Sequence, residues 1–164
     1  MARTLCADIF FDNQLKWLQY QIVRNSLQTN YIVSHFKPNI LKTCSYCREE
    51  NSTELISHLF WLCPRISGFV LEIIEFMRNL GVDYNPTKEQ FLFGHHKTLA
   101  YSIYNFLSLV IKKYIWKSKF KNAILTMDGF TAMLKSYLCD LKYIFHVKNL
   151  SDQFNEWNSV YDSL

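Results

Sequence analysis

The sequence predicts an all-α fold, and three observations carry that prediction. Glycine and proline are scarce, at 4 and 3 among 164 residues, too few turn formers for a many-stranded sandwich or barrel. Apolar residues recur at helical spacing in several segments, and no segment alternates strictly between apolar and polar. Hydrophobic residues make up 49% and charged residues 20%, which supports a sizeable packed core rather than disorder.

Each element follows from its own pattern. Residues 13–28 fit an amphipathic helix, with Leu15, Leu18 and Ile22 on one face and Asp12 or Asn13 as its cap. A short helix from Tyr31 to Phe36 stops before Pro38. Ser52 or Thr53 can cap the next, with Glu54 in the first turn and Ile56, Leu59 and Phe60 facing inward. Pro64 suits a first helical position, and Ile66, Phe69, Val70, Ile73, Met77 and Leu80 form a stripe that Gly81 ends. Thr87-x-x-Gln90 is a capping box for a short helix stopped by Gly94. A long helix spans Thr98 to Lys121, and another Asp128 to Val147 with Phe130, Leu134, Tyr137, Leu141 and Ile144 facing in. Phe154, Trp157, Tyr161 and Leu164 recur at helical spacing behind a Ser151 cap. A short hairpin at Cys44–Cys47 remains compatible with this scheme.

The length suits one domain, 1–164, comprising an N-terminal helical segment 1–43, a Cys/His segment 44–63, and a C-terminal helical segment 64–164 with a basic stretch at 112–121. Asp8, Asp12 and Lys16 interrupt any leader-like run in the first twenty residues. Leu99–Ile111, the longest apolar-rich stretch, contains Ser102, Asn105 and Ser108 and falls short of the roughly 20 residues a membrane span needs. The expectation is an intracellular protein, nuclear or cytoplasmic and not secreted, with neither a membrane nor a small molecule as partner.

Cysteine usage is the most informative feature. The five are Cys6, Cys44, Cys47, Cys63 and Cys139, an odd number that does not suggest a disulfide framework. Three of them share one window with a histidine: Cys44-x2-Cys47-x10-His58-x4-Cys63. Cys-x2-Cys lets two thiolates converge on one ion from a tight turn, and Zn²⁺ takes four such ligands tetrahedrally. Cys63 lies about 500° around from His58 at 3.6 residues per turn, so the two cannot chelate from an undistorted helix. Pro64, however, disfavours the α conformation at Cys63. The helix should end near Leu62, freeing Cys63 to swing back. With four protein ligands the expected site is structural Zn²⁺, closed to substrate. Cys6 and Cys139 read as small hydrophobes, His95-His96 as a solvated loop, and His35 and His146 carry no signal.

The net charge of +4 hides an uneven distribution: +3 over residues 1–43, −2 over 44–100, +6 over 101–149 and −3 over 150–164. Lys113, Lys117 and Lys121 recur every four residues along one helix face, interleaved with Tyr114, Trp116 and Phe120. A cationic stripe can track phosphates, and an aromatic beside it can stack on unpaired bases. Lys112, Lys113, Lys117, Lys119, Lys121 and Trp116 are therefore the candidate nucleic-acid contacts; a solvated helix face with core aromatics accounts equally well for the pattern.

Leu15-Lys-Trp-Leu-Gln-Tyr-Gln-Ile22, Leu27-Gln-Thr-Asn30, Cys44-Ser-Tyr-Cys47 and His58-Leu-Phe-Trp-Leu-Cys63 together resemble the C-terminal region of LINE-type, non-LTR retrotransposon reverse transcriptases, known as the reverse-transcriptase zinc-binding domain. Phe91-Leu-Phe-Gly94 and Lys112–Lys119 look like its continuation, so the resemblance covers nearly the whole chain. It implies Cys44, Cys47, His58 and Cys63 as metal ligands, and a module that helps a larger polymerase bind template RNA or target DNA. Polymerase chemistry needs adjacent aspartates for Mg²⁺, and none of the seven Asp residues has an Asp neighbour. The expectation is a non-enzymatic, zinc-stabilised binder of RNA or single-stranded DNA, either a retained module or a remnant starting at an internal Met1. The alternative is a zinc-stabilised protein-interaction domain docking a partner through Trp61, Trp116 and Trp157.

Overall fold

A computed structural model describes residues 12–94, 103–149 and 151–164. Seven α-helices run through them: α1 (Asn13–Val23), α2 (Asn30–Ser34), α3 (Pro64–Asn79), α4 (Lys88–Phe93), α5 (Ile103–Phe120), α6 (Met127–Val147) and α7 (Asn155–Asp162). A π-turn, His58–Leu62, precedes α3, and a 3₁₀ turn, Ser151–Phe154, precedes α7. The fold is all-α with the Cys/His segment between helices, as the sequence predicts. Only one pair of described residues, Thr43 and Thr53, forms an antiparallel β-bridge, and it is isolated. None of the helices described is long and apolar enough to cross a membrane.

The boundaries follow local chemistry. The Asp12 carboxylate accepts the Gln14 N–H at 2.6 Å to cap α1. That helix ends at Val23, five residues short of the expected 28, where Asn25 takes a left-handed conformation (φ 51°). Thr87 and Gln90 form the expected reciprocal capping box of α4, and Gly94 (φ 90°) ends it. Pro64 opens α3 and Gly81 (φ 78°) follows its end. The expected start of the long helix at Thr98 lies outside the described residues, as do Cys6 and His95-His96.

α5 is the structural centre. It packs against α1, α4 and α6, while α1 also packs against α4. Residues from Asn105 to Lys112 are all buried, so this stretch has no solvent face. Its apolar side chains, Phe106, Leu107, Leu109, Val110 and Ile111, each contribute roughly 1.5–3 kcal/mol by leaving water. On α6 the inward stripe is Phe130, Leu134, Leu138, Leu141 and Phe145. Leu138 and Phe145 replace the expected Tyr137 and Ile144, which sit half-buried at its margin. Phe130, Leu134 and Leu141 face in as expected; the other two positions shift by one residue because α6 faces both α5 and the C-terminal segment, where Phe145 meets Phe154. Trp157 is in the core against Phe106, with ring centroids 5.0 Å apart.

The entry to α6 is tightly fitted. Thr126 caps it by accepting the Gly129 N–H, and the Tyr114 hydroxyl donates to the Thr126 carbonyl while accepting its N–H, both at 3.2 Å. A methyl group on Gly129 would overlap that hydroxyl. Gly129→Ala should therefore destabilise the fold by about 1–3 kcal/mol, measured by chemical denaturation. An unchanged midpoint would contradict this packing.

Candidate metal centre and basic groove

Cys44, Cys47, His58 and Cys63 converge, with one ligand atom from each lying within 4.8 Å of the others, close enough to bind one metal ion. Cys44 Sγ is 3.7 Å from Cys63 Sγ, and Cys47 Sγ is 3.4 Å from His58 Nε2. Cys44 and Cys63 are buried; Cys47 and His58 are half-buried.

Two local structures deliver these ligands. The first is the turn between Cys44 and Cys47. The Cys44 N–H donates to the Ser52 carbonyl at 2.9 Å and the Glu54 N–H to the Lys42 carbonyl at 2.8 Å, drawing the ends of the loop together beside the Thr43–Thr53 bridge. The Arg48 N–H donates to the Cys44 carbonyl at 3.0 Å, and Arg48 closes the turn in a left-handed conformation (φ 56°). This places the N–H groups of Tyr46 and Cys47 on the Cys44 sulfur. The second is the π-turn. The Cys63 N–H reaches back five residues to the His58 carbonyl at 2.9 Å, and Cys63 itself is extended (ψ 123°). The expected end at Leu62 is correct. His58 and Cys63 meet because the last turn widens, which a uniform α-helix would not allow.

Cys63 is also the N-cap of α3. The Cys44 S–H donates to its sulfur, burial opposes ionisation, and the N–H groups of Ile66 and Arg65 favour it, which together hold the Cys63 thiol below its ordinary range. Cys44 is raised, by holding its proton against Cys63 and by burial. The expected Ser52 or Thr53 helix cap is not formed. Helical backbone begins at Ile56, the Ser52 hydroxyl bonds to the Glu49 carbonyl at 2.7 Å, and Thr53 is in the bridge.

Glu54, expected in an ordinary first turn, is fully buried and central. Its carboxylate accepts the Asn30 N–H (2.8 Å), the Ser45 N–H (2.8 Å), the Ser45 hydroxyl (2.7 Å) and the Lys119 ammonium. Burial alone would raise Glu54, but these donors outweigh it and hold the carboxyl below its ordinary range. Sequence reasoning missed this residue because nothing in its local spacing distinguishes it from a solvated acid.

The six candidate nucleic-acid contacts divide. Lys112 faces inward, 1% exposed, donating to Gln19 Oε1 at 2.6 Å and to the Leu92 carbonyl at 3.0 Å near the end of α4. Lys119 is committed to Glu54. Both are corrections to the expected surface set: a helix presents residues 112 and 119 on its buried side when 113, 117 and 121 face out. Lys113 donates to Gln14 Oε1 at 2.9 Å, and Lys117 and Lys121 are exposed. With Trp116 and Phe120, these three line a groove bordered by Gln14 of α1 and by Met133, Ser136 and Tyr137 of α6. Trp116 is half-buried against Phe120, with centroids 4.7 Å apart at 89°, and Phe120 is 63% exposed. Of the aromatics expected to dock a protein, Trp157 is core and Trp61 is half-buried against Phe91. Cys139 is exposed, 3.7 Å from the Tyr161 hydroxyl, rather than a small core residue.

Comparison with known proteins finds no match among protein-family models, curated proteins or solved structures.

Glu54 predicts a direction for acid sensitivity. Its folded pKa lies below its unfolded one, so its stabilisation is complete above the ordinary carboxylate range and is lost as pH falls through the folded value. The metal-free wild type should lose more stability than Glu54→Gln does as pH falls below the ordinary carboxylate range, by denaturation at each pH. Parallel curves would show that Glu54 is not held as described.

Proposed function

We propose that this chain is a zinc-stabilised nucleic-acid-binding module without catalytic activity of its own, related to the C-terminal region of non-LTR retrotransposon reverse transcriptases. The observation that carries the binding clause is the groove in which Lys113, Lys117 and Lys121 lie beside Trp116 and the exposed Phe120. Cations every four residues on a helix recur about every 6 Å, a spacing on which a phosphate backbone can lie. The exposed Phe120 ring gives an unpaired base a stacking surface, which favours single-stranded RNA or DNA.

Zinc is the ion that best fits the donor set. Three sulfurs and an imidazole are soft and borderline ligands. Tetrahedral Zn²⁺ with bonds of ~2.3 Å to sulfur and ~2.0 Å to nitrogen requires ligand separations of about 3.8 and about 3.5 Å. The Cys44–Cys63 and Cys47–His58 separations of 3.7 and 3.4 Å lie beside those values. Cys44, Cys47, His58 and Cys63 would hold the ion, and it would supply cross-linking of the loop to α3 rather than chemistry on a substrate. The relation to retrotransposons rests on the motif resemblance, which spans both the Cys/His window and the segments flanking it.

Zinc binding should be stoichiometric in reducing buffer by elemental analysis and should release protons as thiols ionise. Cys63→Ser should weaken it by more than ~100-fold and lower the melting temperature of the metal-loaded chain. A zinc-free wild type would remove the metal clause.

The binding clause is tested by titrating single-stranded RNA and DNA against salt. Three phosphate contacts give a log–log slope of about −2 to −3, and Lys117→Glu/Lys121→Glu should flatten it by about 1.5. Phe120→Ala should weaken binding by roughly 1–3 kcal/mol with little change in slope. Absence of binding at low salt overturns the reading; in its place, a stoichiometric, nuclease-insensitive protein partner would favour the protein-docking alternative.

A further inference from the structure

We propose that Glu54 and Tyr46 are positioning residues that make the carboxy-terminal turns of α5, and with them the basic groove, depend on the occupied metal site. This inference rests on the metal reading above and deepens it. Ser45 and Tyr46 are the two residues between the ligands Cys44 and Cys47, and both bond away from the metal toward α5. The Tyr46 hydroxyl donates to the Ile115 carbonyl at 2.6 Å. Ser45 gives its N–H and hydroxyl to one oxygen of Glu54, whose other oxygen takes the Asn30 N–H and the Lys119 ammonium. Lys119 lies 5.1 Å from the Trp116 ring centroid and 6.0 Å from that of Phe120, both of which line the groove. The exposed cations flank it, Lys117 on α5 and Lys121 one residue beyond the end of that helix.

The linkage is stiff because its centre is dry. A carboxylate with 0% exposure that loses either Ser45 or Lys119 is left without solvent to replace the donor, so the two sides hold or release together. The Cys44–Cys47 turn is otherwise held by a few polar bonds: the Asn30 side-chain amide donates to the Thr43 carbonyl at 2.9 Å and to the Ser45 hydroxyl at 3.1 Å, and the Cys47 thiol to the Ser52 hydroxyl at 3.2 Å. Its left-handed residue, Arg48, is not a glycine, and the loop is closed by one isolated bridge and its flanking hydrogen bonds. A metal ion tying Cys44 and Cys47 to His58 and Cys63 fixes Ser45 and Tyr46 in the positions from which they hold Glu54 and Ile115. Without the ion, the turn gains conformers in which those bonds are broken. The groove would thus be assembled by zinc although no groove residue touches the metal.

The test is hydrogen exchange by mass spectrometry on the full chain, zinc-loaded and after chelation. In the wild type, chelation should accelerate exchange in 44–63 and also, by tenfold or more, at amides 115–121. The triple variant Tyr46→Phe/Glu54→Gln/Lys119→Met keeps side-chain volume while cutting both links. It should still respond in 44–63 but by less than threefold in 115–121. A wild type that loosens in 44–63 with 115–121 unchanged overturns this proposal alone, and that arm needs no variant to fold. Full retention of the 115–121 response in the triple variant overturns it as well. A wild type that binds no zinc by elemental analysis overturns both this proposal and the metal reading.

Discussion

The hydrogen bond from the Cys63 N–H to the His58 carbonyl sets the geometry of the Cys/His segment. A uniform α-helix places residues five apart on different faces. A widened last turn instead brings His58 and Cys63 to the same side, and Pro64 makes the widening favourable by disfavouring α backbone at Cys63. The same residue then starts α3, whose inward side chains Ile66, Phe69, Val70, Ile73, Ile74 and Met77 belong to the core. One backbone bond thus joins the geometry of the ligand cluster to the placement of a 16-residue helix.

A second constraint lies in the polar interior. Lys112 and Glu54 are each almost wholly withdrawn from solvent, and each joins elements distant in sequence. Lys112 connects α5 to Gln19 of α1 and Leu92 of α4. Glu54 connects the Cys44–Cys47 turn to the start of α2 and to α5. Buried charges of this kind contribute little net stability compared with apolar replacements of similar volume, but removing one partner is costly. Their effect is to fix register: α5 can slide or rotate against its neighbours only by abandoning these bonds.

The all-α architecture could be read from the sequence wherever a local signal determined it. The Thr87/Gln90 capping box, Pro64 at a helix start, Gly81 and Gly94 at helix ends, and the Cys-x2-Cys window all appear in the fold as their spacing suggests. What could not be read depended on partners far along the chain. The α6 stripe takes Leu138 and Phe145 in place of Tyr137 and Ile144 because those positions answer to α5 and to Phe154, neither of which its own periodicity encodes. Lys112 and Lys119 look like their exposed neighbours in sequence; only the positions of Gln19 and Glu54, 93 and 65 residues away, draw them inside. The four-ligand cluster was legible because its ligands lie close in sequence, whereas Glu54, which binds that cluster's loop to α5, carries no local mark.

Cys63 serves two requirements that ordinarily call for different residues. As the first boundary of α3 it could be replaced by serine, aspartate or asparagine, the usual helix N-caps, at small cost to the helix. As a sulfur 3.7 Å from Cys44 it has no such substitutes. Drift at this position is therefore asymmetric. A chain for which only the helix mattered would tolerate several residues before Pro64, while one for which the four-ligand cluster matters tolerates cysteine. The identity of residue 63 therefore reports on the cluster, and Pro64 on the helix.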